Sequence, residues 1–374
     1  MTDATAVAHT SLPRDRRLRL GLSIAKLIKA GTMEVILPDG SVHHFAGTEP
    51  GPAATLIVRD ARMIAKLVFG GSLGLSEAYL DGDWDSPNLI DVLRLGTLNE
   101  AAWEDMLRGK LWARVVSTIA HKLRPNTRKG ARRNIAEHYD LGNDFYASWL
   151  DETMTYSAAL FDRDANSLEV AQRSKIHRLC KALELQPGMS VLEVGCGWGS
   201  FAEIAARDYG ARVTGITLSR EQLEFGQARI AKSGLVDRVS LELRDYRDVS
   251  QQFDRIASIE MFEAVGESYW PTYFNCLRDR LRPGGFMLPS PSRLHAEISR
   301  AGLHLRDSFW FGPDYADTLA RWGKTFQDSW PRITKFSRQY DTRFKRLWEF
   351  YLAYCEAGFR AGWTDVGQFV IARP

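Results

Sequence analysis

Long apolar runs are missing from this sequence: nowhere in its 374 residues do the roughly 18 apolar side chains of a membrane-spanning helix follow one another. The first residues also lack the apolar core and small-residue cleavage site of a secretory leader, so a cytoplasmic protein is expected. Cysteine is scarce. Cys180, Cys196, Cys276 and Cys355 are scattered without a CxxC pair or a Cys/His ligand spacing, which argues against a disulfide framework and against a zinc site. A large excess of one charge is missing as well, the formal net charge being +3.

Positive charge is nevertheless concentrated in places. Arg14, Arg16, Arg17 and Arg19 open the chain, and "HKLRPNTRKGARRN" gathers Lys122, Arg124, Arg128, Lys129, Arg132 and Arg133. The simplest account of the second cluster is a solvated linker. No nucleic-acid-binding module surrounds it, so among phosphate-bearing partners a lipid surface fits better than nucleic acid. With 45% hydrophobic residues the chain is long enough for two domains with proper cores.

The first third has the pattern of a small α+β unit. "RLGLSIAKLIKAG" carries helical apolar spacing, and "MEVILPDGSVHHF" is an alternating strand pair around Pro38, Asp39 and Gly40. "ATLIVRD" follows as a strand, then "ARMIAKLVFGG" and "LGLSEAYLDGDWD" as two helices. No catalytic constellation occurs there, so a binding or docking role is expected. After the basic stretch the rhythm becomes strand, glycine turn, helix. "SVLEVGC", "RVTGITL", "VSLELRD" and "FDRIASIEM" are strands alternating with helical segments, the pattern of a doubly wound parallel sheet.

A further strand is due after Gly285, yet only Phe286, Met287 and Leu288 precede Pro289 and Pro291, which cannot sit in a central strand. Either the sheet ends early or a segment is absent. The second is expected, as a lid left out between Arg282 and Met287, in which case the flanking Cα atoms would lie much farther apart than the roughly 3.8 Å of a trans peptide.

The loop "EVGCGWG", Glu193 to Gly199, joins an apolar strand to a helix, and its glycines let a ligand lie against the main chain. A dinucleotide site would show GxGxxG and a carboxylate about 20 residues on. Here the spacing is GxGxG, and the second strand ends in Thr217 and Leu218 without a carboxylate, both of which argue against NAD.

This loop, with "GITLSREQ", "HYDLGNDFY", "MTYS", "MFEAVG", "FGPDYADTL" and "FYLAYCEAGFRA", resembles the cyclopropane fatty acid synthase family of S-adenosylmethionine-dependent methyltransferases, which includes the mycolic acid cyclopropane synthases. The resemblance runs from about Asn134 to the C-terminus. The first third resembles the small N-terminal domain of bacterial cyclopropane synthases. It implies an α/β, Rossmann-like doubly wound methyltransferase sheet at 134–374, preceded by a small α+β domain at 1–120 for lipid docking or dimerisation and a basic linker at 121–133.

By that resemblance the cofactor is S-adenosylmethionine, or S-adenosylhomocysteine after transfer. Gly195 and Gly197 would lie against its methionine part, Thr217, Leu218 and Gln222 around its ribose and adenine, and Glu193 is a further cofactor-binding candidate. Tyr156 and Ser157 would close over it, and Tyr246 would stand beside the adenine. The implied reaction moves the methyl group to the double bond of an unsaturated phospholipid acyl chain at the surface of the inner membrane. The cation so formed closes to a cyclopropane, or yields a methyl or methylene branch. The family's base is bound bicarbonate, for which Glu263 and Tyr315 match two of the holding groups, while Cys355 matches a cysteine near the acyl channel. Three departures stand out: Ala264 where the family often has His, Ala158 where it often has Cys, and the shortened stretch near 282–287, on the order of 30 residues. The alternatives are a methyltransferase of a small polar acceptor and a lipid-binding protein with a vestigial site.

Overall fold

The computed structural model describes residues 13–107, 141–162, 167–262, 265–288 and 294–374, and divides into two compact units. The basic linker lies outside the described residues. The first unit opens with α1 (Arg16–Ala25), whose N-cap Asp15 accepts the Arg17 N–H. β1 (Ala30–Ile36) and β2 (Val42–Ala46) form the expected antiparallel hairpin, and β3 (Glu49–Val58) runs parallel to β1. The two helices expected next are both present, running together as α2 (Arg62–Leu80) with a non-helical Gly71 between them, where φ is 57° and ψ −138°. β4 (Trp84–Asp85), α3 (Leu89–Leu98) and α4 (Glu100–Leu107) complete this part. Leu22, Val35, Met63, Trp84 and Leu95 lie in its core.

In the second unit, α5 (Asn143–Ala147) and α6 (Leu168–Ala182) precede the sheet. Then come β5 (Ser190–Val194), α7 (Ser200–Asp208), β6 (Arg212–Thr217), α8 (Arg220–Lys232), β7 (Val239–Leu243), β8 (Phe253–Ser258) and α9 (Trp270–Arg280). β9 (Leu281–Leu288), α10 (Leu294–Arg300), β10 (His304–Trp310) and α11 (Gly312–Ile333) follow. α12 (Thr342–Arg360) returns to the first unit, and β11 (Gly367–Ala372) closes the sheet. The family resemblance implies a methyltransferase domain running through to residue 374. Instead 337–364 belong with the N-terminal unit, where Arg346 donates to the carbonyls of Tyr79 and Trp84 and lies 3.9 Å from the Tyr79 ring centroid.

The seven strands are ordered β10-β11-β9-β8-β5-β6-β7, parallel except where β11 runs against β9 and β10. This is the doubly wound α/β sheet that the apolar runs announced. β5 is central and buried, paired with β6 on one side and β8 on the other, as its continuous apolar pattern requires.

The main chain runs on through Arg282–Met287 without the expected separation of the flanking Cα atoms. Leu281–Leu288 form one strand, pairing Phe286, Met287 and Leu288 with Arg255, Ile256 and Ala257 of β8. The surplus residues after Leu281 form a bulge opposite Asp254, held by the Gly284 N–H on the Arg373 carbonyl and the Arg373 N–H on the Gly285 carbonyl. The prolines do not contradict this strand because it ends at Leu288, before Pro289.

Candidate active site

The strand order reverses direction at β5, and ligands of open α/β sheets bind at the carboxyl ends of strands beside such a point. There the loop after β5 turns through Gly195, Gly197 and Gly199, with φ of 81°, 51° and 84°. The Gly195 and Cys196 N–H groups both donate to the Ile216 carbonyl at 3.0 Å, which fastens the loop to β6. A Cβ at Gly195 would meet Met261 at 2.9 Å, whereas one at Gly197 would meet nothing within 4 Å. At Gly197 the bare main chain borders open space.

That space is a cavity of about 160 Å³. It gathers all nine residues expected to face the cofactor: Glu193, Gly195 and Gly197 from β5 and its loop, Thr217, Leu218 and Gln222 from β6 and α8, Tyr156 and Ser157 from "MTYS", and Tyr246. The Thr217 hydroxyl donates to the Gln222 side chain at 2.8 Å. Tyr246 packs edge-on against Tyr273 with centroids 5.2 Å apart, and burial pushes its phenol up to about 12. The segment "MTYS" is tied to the glycine loop by Arg229, which donates to the carbonyls of Glu152, Thr153 and Trp198. The Trp198 indole donates to Asn143 of "HYDLGNDFY" at 2.6 Å. Tyr156 is boxed in by Tyr146, Trp149 and Trp322 at centroid distances of 5.7, 5.6 and 5.2 Å.

Glu193 is buried, and desolvation holds its carboxyl well above the usual range against the pull of the Ala202 N–H. Its Oε2 has no hydrogen-bond partner among the described residues. Cys196 is likewise raised by burial, with Glu193 adding to the shift. A buried acceptor left open beside bare main chain is a place prepared for a donor on a ligand, and so fits a cofactor carrying an ammonium group.

Two groups escaped the sequence reading. Glu260, just past β8 at φ 46°, lines the same cavity. Its Oε1 accepts the Ala158 N–H at 2.7 Å and its Oε2 the Tyr315 hydroxyl at 2.8 Å. Lys175 on α6 is only 3% exposed and donates to the Ser157 hydroxyl at 2.5 Å. Burial lowers its ammonium to about 8, opposed by the charges of Glu260 and Asp151. Each had a legible sign. Glu260 is a carboxylate at a strand end three residues before the one that was chosen, and Lys175 falls on the buried stripe of α6 with Ala171, Ile176 and Leu179.

Glu263 and Ala264 lie outside the described residues. Cys355 is carried by α12 in the first unit, where burial pushes its thiol up to about 11. Among the aromatics of the second unit, Phe262 packs into the core against Trp270 and Tyr273, and Trp310 is 45% exposed on β10.

Comparison with known proteins agrees with this geometry. The sequence model of the mycolic acid cyclopropane synthetase family matches residues 126–290 and 286–369, two pieces that meet in β9. The chain is 35% identical to the tuberculostearic acid methyltransferase UfaA1 of Mycobacterium tuberculosis, covering 91% of this chain and 88% of that one. It is 36% identical to the cyclopropane-fatty-acyl-phospholipid synthase of Escherichia coli, covering 91% and 96%. These alignments run over 384 and 387 positions, whereas 91% of 374 residues is about 340, so they carry gaps in this chain. The crystal structure of the mycolic acid cyclopropane synthase CmaA1 complexed with SAH and CTAB superposes with a TM-score of 0.62 at 29% identity, over 67% of this chain and 99% of that one. A glycine loop at the switch point, a cavity bordered by bare main chain and a two-piece family match therefore lead to one statement: this chain belongs to the mycolic acid cyclopropane synthetase family and is an S-adenosylmethionine-dependent methyltransferase.

Proposed function

We propose that the chain transfers the methyl group of S-adenosylmethionine to the double bond of an unsaturated acyl chain in a phospholipid, giving a cyclopropane or a methyl- or methylene-branched chain. The observation that carries this reading is the convergence of the nine cofactor candidates with Glu260 in one cavity, next to the relatedness to a cyclopropane-fatty-acyl-phospholipid synthase. The cofactor, when bound, supplies a methyl group activated on a sulfonium. Glu193 offers its open Oε2 to the cofactor's ammonium group, the Gly195–Gly197 backbone borders its methionine part, and Thr217, Leu218, Gln222 and Tyr246 border the rest.

An alkene is a neutral nucleophile with no proton to lose beforehand, so the site must act by positioning and by keeping water out. The Tyr146, Trp149, Tyr156 and Trp322 rings supply an apolar wall with negative π faces, suited to a cationic acyl chain. For the proton acceptor the family resemblance offers bicarbonate held by Glu263 and Tyr315.

The first unit and the basic stretch at 121–133 would bring the enzyme to the membrane surface or pair it with a second copy. Phe69 and Leu73, 58% and 64% exposed on either side of the α2 kink, suit the first role. No described helix is long and apolar enough to cross a membrane.

The test is mass spectrometry of acyl chains after incubating unsaturated phospholipid vesicles with the full chain and S-adenosylmethionine. A gain of one CH2 with consumption of the double bond is expected. Cofactor binding with no gain would move the acceptor to a small polar molecule.

A further inference from the structure

The reaction needs a base for the cationic acyl chain, and among the described residues the titratable side chains lining the cavity leave few choices. Burial holds the Glu193 carboxyl, the Cys196 thiol and the Tyr246 phenol above their usual ranges, which favours their neutral forms. Glu260 is different. Both its oxygens accept charge-assisted hydrogen bonds, one from the Ala158 N–H and one from the Tyr315 hydroxyl, an arrangement that favours and orients the ionised form. Among the described residues, the buried Lys175, which donates to Ser157, feels the charges of Glu260 and Asp151. Glu260 is also held at φ 46°, one of three described non-glycine residues with positive φ; a second, Met154, lines the same cavity. Such a backbone costs on the order of 1 kcal/mol and clusters where function requires it.

Resting on the acyl-chain reading, we propose that the Glu260 carboxylate is the proton acceptor of the reaction, so that this chain works without bicarbonate. Of the two groups that hold Glu260, Tyr315 is one the family resemblance assigns to bicarbonate, and Ala158 stands where the family often has Cys. A side-chain carboxylate presents the same O–C–O edge as bicarbonate, already tethered. The steps balance without a further reactant. The alkene π pair bonds to the methyl carbon while the C–S pair stays on sulfur, leaving positive charge on the adjacent acyl carbon. Glu260 then takes a proton from the new methyl group, whose C–H pair closes the ring, or from a neighbouring carbon to give a branch. The neutral Glu260 returns its proton to water between turnovers.

The test compares the unaltered chain and Glu260→Gln on unsaturated phospholipid vesicles, in bicarbonate-depleted buffer and with millimolar bicarbonate restored. The unaltered chain should add CH2 equally in both within about 2-fold, and Glu260→Gln should lose about 100-fold or more, the size of a general-base contribution. Its S-adenosylhomocysteine affinity should stay within about 3-fold, which separates lost chemistry from lost binding. Bicarbonate dependence of the unaltered chain, or a fully active Glu260→Gln, would overturn the proposal. Should Glu260→Gln fail to fold, the bicarbonate response of the unaltered chain decides alone. No CH2 gain by the unaltered chain in either buffer would sink the acyl-chain reading, and this proposal with it.

Discussion

The carboxyl ends of β5 and β8 each place a glutamate on one cavity, and the two are treated in opposite ways. Glu193, past the middle of the central strand, is 3% exposed, with one oxygen on the Ala202 N–H and the other without a partner among the described residues. Desolvation dominates and favours its neutral acid. Glu260 is half-buried, and each of its oxygens receives a donor. The same side chain is thereby suited to wait for a cation in one place and to take a proton in the other, and only the surroundings differ.

The sharpest way to break this comparison is to make one substitution at both positions. Glu260→Gln carries the largest expected effect, the loss of about 100-fold or more in methyl transfer set out above. Glu193→Gln should leave the chemical step of bound complex nearly intact and instead weaken S-adenosylhomocysteine binding by about 10- to 100-fold, since a neutral amide replaces a charge partner of the ammonium. Titration calorimetry would separate the two. The pH dependence has a definite sign. Burial favours the neutral form of unliganded Glu193, and a bound cation favours its ionised form. Binding therefore expels a proton, affinity rises with pH until the raised carboxyl titrates unaided, and Glu193→Gln abolishes that slope. Equal losses of rate in both variants with unchanged affinities would refute the division of roles.

How far the sequence discloses this arrangement differs between the two strand ends for physical reasons. The β5 end is legible because a strand buried on both faces must be continuously apolar, and the glycines that follow adopt positive φ that other residues resist. The β8 end is less so. In "SIEMFEAVG" two glutamates stand three apart, and the backbone turn that puts Glu260 on the cavity is one that no local pattern encodes. Lys175 was obscured because α6 reads as an ordinary amphipathic helix until its buried face is known. Pro289 and Pro291 suggest a missing segment, and the alignments with the relatives do carry gaps in this chain, while β9 itself is formed. Three residues suffice for the β8 pairing, and the surplus glycines go into a bulge. The assignment of α12 to the first unit was not legible, because a helix that leaves and re-enters a domain carries no mark of it in its own spacing.

Lys175 offers a second, intermediate test. Its ammonium is held down to about 8 by burial, from a reference of 10.5, despite the opposing charges of Glu260 and Asp151. Below pH 8 it is charged both folded and unfolded. Between 8 and 10.5 only the unfolded chain keeps the proton, so this group's contribution to stability rises with pH across that window. Activity should move the other way, because the loss of the cation removes a counter-charge for Glu260. Methyl transfer is expected to fall as pH rises through about 8, with Lys175→Met flattening that limb and lowering the plateau by roughly 10-fold. A descending limb that survives in Lys175→Met would assign the titration elsewhere.

The smallest expected effect probes the scaffolds rather than the carboxylates. β5 is clasped on both sides by regular parallel pairing, whereas β8 leans on β9 through the bulge at 281–286. Gly285 in that bulge has no room for a side chain: a Cβ would stand 2.7 Å from Leu281 Cδ1 and 2.8 Å from the Asp254 carbonyl oxygen. Gly285→Ala should therefore cost about 1–3 kcal/mol of stability, visible as a lower melting temperature. Because the disturbance enters through β9, it reaches Glu260 at the end of β8 before it reaches the β5 loop. Turnover should fall by several-fold while S-adenosylhomocysteine affinity stays near its original value. If affinity and turnover fell together, the two strand ends would be one cooperative unit, and the independence on which the comparison rests would be lost.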